Sequence, residues 1–129
     1  MTVYSGTSHA LSILSGRLSY MLGLIGPCVA LDTACSSSLV TVWLSLSSLN
    51  QERCPCALAV SVGLITVGIT NLFSIAGMLS NAGRCHTFDV RADGYCRGEG
   101  STAFILDNAF RVNLDDVRQF KIRVGGTAV

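Results

Sequence analysis

The chain has 129 residues; half are hydrophobic and only 13% charged, about half the share of charge usual in a globular domain. Its net charge is +1 and its nine basic residues form no run, which excludes the broad positive footprint expected of a nucleic-acid binder. With so little polar surface to coat itself, the chain either buries an unusually large core for its length or packs against something beyond itself.

The first predicted element is a helix. Leu11, Leu14, Leu18, Met21 and Leu22 recur at helical spacing. Thr7 or Ser8 is placed to cap its start, and Gly23 suits the left-handed position after its end. Gly26-Pro27 marks a turn, and residues 29–32 read as a short buried strand. From Ser36 the apolar positions Leu39, Val40, Trp43, Leu44, Leu46 and Leu49 predict a second helix ending near Asn50. Pro55 interrupts the chain, and residues 57–62 read as a strand. Residues 63–80 are expected to be irregular, with a short helical turn near Phe73. Residues 83–100, rich in Gly, Asp and Arg, are predicted to be loop. Residues 102–107 form a further predicted strand, 108–119 a surface connection, and 120–129 a last strand interrupted by Gly125-Gly126. Strands alternating with helices predict an α/β architecture with a mostly parallel sheet.

Residues 54–83 contain no charged side chain. A run of roughly 18 or more apolar residues can span a bilayer. This one is broken by Pro55, Gly63, Gly68, Asn71, Gly77 and Asn81 and has no flanking aromatic belt. Buried strand followed by loop is the better reading, because a strand covered on both faces shows a continuous apolar run. A hydrophobic, membrane-associated protein without chemistry is the alternative.

Six cysteines raise the questions of disulfides and of metal. No secretory leader is recognisable, so the thiols are expected to stay reduced and the protein to be cytoplasmic. Cys54-Pro-Cys56 has the wrong spacing for a zinc pair, and Cys85, His86 and Cys96 supply no second well-spaced pair. No metal site is expected.

Cys35 differs from the others. It follows the predicted strand directly and stands at the first turn of the second helix, beside the small residues Ala34, Ser36, Ser37 and Ser38. In open parallel sheets, reactive groups gather beyond the carboxyl ends of strands. The unpaired N–H groups and the dipole of a helix start favour negative charge there, which is what a thiolate nucleophile needs. The Cys35 amide is itself a candidate donor to a developing oxyanion. A structural cysteine packed as a small hydrophobe is the competing reading. A base beside the thiol is harder to find. His9 at the start of the first helix and His86 in the polar loop are the only histidines, and neither has the surroundings of a catalytic base.

The stretch GPCVALDTACSSSLV (26–40) resembles the active-site signature of β-ketoacyl synthases, especially the ketosynthase domains of type I modular polyketide synthases. SILSGRLSYMLGL (12–24) is similar to the preceding helix, FSIAGMLSNAGRCHTFDVRADGYCRGEG (73–100) to the downstream loop, and RVGGTAV (123–129) to the strand that follows. The resemblance runs in order along nearly the whole chain. Ser61 stands where the family usually has a glycine of GGVN, Trp43 where it often has His, and Ser101-Thr102 where a smaller pair is commoner.

The resemblance implies an α/β, thiolase-like layered fold. Residues 1–129 would be the later part of its N-terminal half, containing the nucleophile. It implies that Cys35 takes an acyl chain as a thioester, which then undergoes decarboxylative Claisen condensation with a malonyl-type unit. That unit rides on the phosphopantetheine of an acyl carrier protein, and this segment binds no cofactor of its own. The implied partners are the acyl carrier protein, neighbouring synthase domains and a second copy of the complete domain; neither nucleic acid nor membrane is implied. Two histidines of the family's second half have no counterpart motif here, so these residues alone are expected not to complete condensation. A fatty-acid synthase of the same chemistry and a catalytically dead homologue are the rivals. Dead homologues typically lose the cysteine, and this chain keeps it. The dense charges Asp89, Arg91, Asp93, Arg97 and Glu99 are expected to tie down their loop by local pairing rather than to act in catalysis.

Overall fold

The computed structural model of the chain describes residues 10–107. Their elements in order are α1 (Leu11–Met21), a 3-10 turn (Ala34–Ser36), α2 (Ser37–Asn50), β1 (Cys56–Gly63), α3 (Val67–Ile75) and β2 (Gly100–Asp107). The expected strand at 120–129, the connection at 108–119 and the Thr7 or Ser8 cap lie outside the described residues. The chain divides into two compact units, Met1–Ser61 with Ala103–Val129, and Val62–Thr102.

In the first unit, α1 and α2 lie where their apolar periodicity places them. Gly23 follows α1 at φ +65°, and the amides of Gly23 and Leu24 return to the carbonyls of Tyr20 and Ser19. That is the paired closure that a left-handed residue makes possible. α2 ends in the same pattern, with Glu52 and Arg53 bonding back to Leu49 and Ser48 and Glu52 held at φ +54°. Residues 29–32 are not a strand. A strand exists through ladder bonds to a neighbour, and among the described residues no backbone bond joins 25–32 to another segment.

β1 and β2 form a two-stranded sheet. Gly63 at the end of β1 lies against the carbonyl of Gly100 at the start of β2, so the two strands run antiparallel. This corrects the mostly parallel sheet expected from the alternation of elements: the chain from 64 to 99 returns to the same end of β1 and makes no crossover to its far end. Ala57, Ala59 and Ser61 of β1 are covered to varying degrees, while Leu58, Val60 and Val62 on the other face are exposed. The continuous apolar run therefore has one covered face, not two.

In the second unit, the short helical turn expected near Phe73 is the nine-residue helix α3, which takes up part of the stretch expected to be irregular. Val67, Gly68, Ile69 and Thr70 are weak helix formers, which hid its extent. Its first turn is held by Thr70, whose amide and hydroxyl both donate to the Thr66 carbonyl, at 3.0 and 2.7 Å. The uncharged run thus becomes strand, short helix and turns. Among the described residues no helix is long and apolar enough to cross a membrane.

Only Leu49 and Ala59 are buried among the described residues. Large apolar side chains stand open on every element, among them Met21, Leu39, Val62, Ile75 and Ile105. The low charge is matched by apolar surface, not by a large core, which favours the second of the two alternatives posed by composition.

Candidate active site

Cys35 occupies the middle of the 3-10 turn that leads into α2. Its side chain is exposed. Ala34, just before it, has φ +56°, a left-handed conformation that costs a residue with a Cβ about 1–2 kcal/mol. Side chains around the turn hold it. Asp32 accepts the Ala34 amide on Oδ1 at 2.9 Å. Ser37 Oγ accepts the Thr33 amide at 2.9 Å and donates to the Ala34 carbonyl at 2.7 Å. Ser36 Oγ donates to the Thr33 carbonyl at 2.8 Å and lies 2.9 Å from the Thr33 hydroxyl. Thr41 ties the next turn by donating to the Ser37 carbonyl at 2.8 Å. The Cys35 amide donates to no acceptor among the described residues.

The arrangement offers an exposed sulfur, an unspent N–H beside it, and a helix start whose dipole favours negative charge. Those are the parts needed for attack on a carbonyl and for stabilising the oxyanion that results. Sequence reasoning valued Ser36, Ser37 and Ser38 for their small size. The structure adds that Ser36 and Ser37, with Asp32 and Thr33, hold the turn. The signal was available, because Asp, Thr and Ser bond to nearby backbone at turns and helix starts. The left-handed Ala34 had no signal, since alanine favours helix.

The other candidates fall elsewhere. All six cysteines are free thiols. Cys85 and Cys96 meet in the second unit, where the Cys96 amide donates to Cys85 Sγ at 3.2 Å. His9 lies outside the described residues, and His86 is half-buried with its carbonyl accepting the Asp89 amide at 3.2 Å.

The charged loop of the second unit is tied down locally, as expected. Arg91 and Asp89 form a two-pronged pair at 3.0 and 2.7 Å. Asp93 accepts the Asn81 amide at 3.0 Å, and Glu99 the Ile65 amide at 3.1 Å. Arg97 donates to the Thr70 hydroxyl at 2.9 Å and lies over the Phe73 ring, 5.2 Å from its centroid, so it joins the loop to α3. Arg97→Ala should cost about 1–2 kcal/mol from the lost cation–π contact and hydrogen bond. Hydrogen exchange across α3 measures this; unchanged protection there would contradict it.

The Arg91 side chain, and then its backbone amide, hold the Asp89 carboxyl below its ordinary range. The Ser80 hydroxyl does the same for Asp93, helped by backbone amides including that of Asn81. A carboxylate depressed in the folded state stabilises that state above its ordinary value and stops doing so as pH falls through the lowered one. The contribution of these two carboxylates to the loop should therefore be in place above about pH 5 and be lost below about pH 4. Amide chemical shifts of Asn81 and Arg91 followed against pH check this, and an inflection above pH 5 would contradict it.

The family model for the β-ketoacyl synthase N-terminal domain matches residues 1–109. The chain is 51% identical over 104 residues to a phenolphthiocerol/phthiocerol polyketide synthase polypeptide of Mycobacterium tuberculosis, covering 80% of this chain and 7% of that protein. It is 47% identical over 107 residues to a non-reducing polyketide synthase of Stereocaulon alpinum, covering 81% of this chain and 4% of that protein. The ketosynthase from module 6 of the bacillaene synthase of Bacillus subtilis 168 superposes with a TM-score of 0.73 at 36% identity, over 85% of this chain and 21% of that one. The chain thus spans a small fraction of each relative's length. With the matched residues including the turn around Cys35, the chain belongs to the β-ketoacyl synthase family and forms part of the α/β, thiolase-like fold of the ketosynthase domains of polyketide synthases.

Proposed function

We propose that residues 1–129 are the nucleophile-bearing part of a polyketide synthase ketosynthase domain, with Cys35 as the residue that carries the growing acyl chain. The observation behind this reading is the exposed Cys35 sulfur just before α2, with its own amide donating to no acceptor among the described residues. The thiolate attacks the carbonyl of an acyl thioester. The resulting oxyanion takes a hydrogen bond from the Cys35 N–H, and the carrier thiol leaves as the enzyme thioester forms. A malonyl-type unit on the phosphopantetheine of an acyl carrier protein loses carbon dioxide. The enolate carbon so formed attacks the Cys35 thioester, giving a 3-ketoacyl carrier and releasing the Cys35 thiolate.

The proposed partners are the acyl carrier protein, neighbouring synthase domains and a second copy of the complete domain. The proposed location is cytoplasmic, where six free thiols stay reduced. By themselves, these 129 residues are proposed not to complete condensation, because the groups that would stabilise the enolate belong to the family's other half. The test is the purified chain, incubated with an acyl thioester and malonyl carrier. Acyl transfer without carbon–carbon bond formation is expected, and a 3-ketoacyl product would overturn the proposed division of labour.

A further inference from the structure

We propose that Ser37 and Asp32 are positioning residues that aim the Cys35 amide at the oxyanion; this rests on the reading of Cys35 as nucleophile. The Ala34 carbonyl and the Cys35 N–H belong to one peptide unit, and in a trans peptide they point in opposite directions. Ser37 donates to that carbonyl twice, from its amide and, at 2.7 Å, from its Oγ, which closes the remaining freedom of that peptide unit and so fixes where the N–H points. The same oxygen accepts the Thr33 amide at 2.9 Å, so its own orientation is set from the other side. Asp32 Oδ1 holds the preceding peptide unit through the Ala34 amide at 2.9 Å. Ala34 lies between the two clamps at φ +56°, a conformation it would leave if released. The Ser37 amide adds a backbone bond to the Ala34 carbonyl, and among the described residues the turn is held without drawing on the Cys35 amide.

The test separates chemistry that needs an oxyanion donor from chemistry that does not. In the full-length polypeptide carrying these residues, acyl transfer to Cys35 from an acyl thioester is timed beside alkylation of Cys35 by iodoacetamide, a displacement that builds no oxyanion. Ser37→Ala and Asp32→Ala should each slow acyl transfer roughly 10- to 100-fold while changing alkylation less than about threefold. Ser37→Thr keeps the hydroxyl and Asp32→Asn keeps Oδ1, so both should recover most of the rate. Thermal melting reports on folding, and because the two residues clamp adjoining peptide units, either one carries the test if variants of the other do not fold. Parallel loss of both reactions, no loss of either, or no recovery by Thr and Asn would overturn the proposal. Cys35→Ala separates this from the underlying reading. If acyl transfer survives it, the nucleophile is wrong and the positioning role falls with it. If Cys35→Ala is dead while Ser37→Ala and Asp32→Ala are unaffected, only the positioning role is lost.

Discussion

Replacing Cys35 by alanine in the complete synthase is expected to abolish formation of the acyl-enzyme and to reduce condensation by at least about four orders of magnitude. The size follows from the role: without sulfur no thioester forms, and the enolate has no electrophile to attack. Cys35→Ser should retain only a small residue of activity, since a hydroxyl at this position has no base beside it among the turn's own residues and is a weak nucleophile unaided. Cys56→Ser serves as the control, because Cys56 is an exposed thiol on β1 with no part in the turn; its rate should stay near that of the parent. Steady-state production of 3-ketoacyl carrier checks all three. Condensation by Cys35→Ala within tenfold of the parent would contradict the role.

The second large effect is expected at Gly94, in the second unit. Gly94 has φ +147°, and a Cβ added there would lie 2.4 Å from the Leu79 carbonyl carbon and 2.5 Å from the Ser80 nitrogen. Both are backbone atoms, so no rotamer change relieves the overlap. The close approach exists because the chain pairs here: the Ser80 amide donates to the Tyr95 carbonyl and the Tyr95 amide to the Met78 carbonyl, each at 3.1 Å, around a bridge between Leu79 and Tyr95. Gly94→Ala should break that pairing and release the loop that Asp93 and Arg97 anchor, at a cost of about 3–5 kcal/mol. Limited proteolysis within residues 80–97 and chemical denaturation read the effect, and a loss under about 1 kcal/mol would contradict it.

What the sequence disclosed follows the physics of each signal. α1 and α2 were legible because leucines at helical spacing leave little ambiguity, and Gly23 marked the end of α1 because a residue free of a Cβ takes the left-handed position without strain. α3 was legible only as a short turn near Phe73, because its first turn is built from Val67, Gly68, Ile69 and Thr70, and what holds that turn is Thr70 bonding back to Thr66 and its link to Arg97. Residues 29–32 misled in the other direction: a strand's composition does not supply a neighbour. The place of Cys35 just before a helix start was legible from the apolar spacing after Ser36. The hydrogen bonds that Asp32 and Ser37 make around it were not, because they depend on which way the peptide units on either side of Ala34 face, and residue type does not reveal that.

The role of Cys35 turns on which atom carries the acyl group. The direct measurement is mass spectrometry of proteolytic peptides after brief incubation of the full-length protein with an acyl thioester in the absence of malonyl carrier. One acyl adduct is expected, on the peptide containing Cys35, discharged when malonyl carrier is then added. An adduct on Cys28, Cys54, Cys56, Cys85 or Cys96 with Cys35 unmodified would contradict that role.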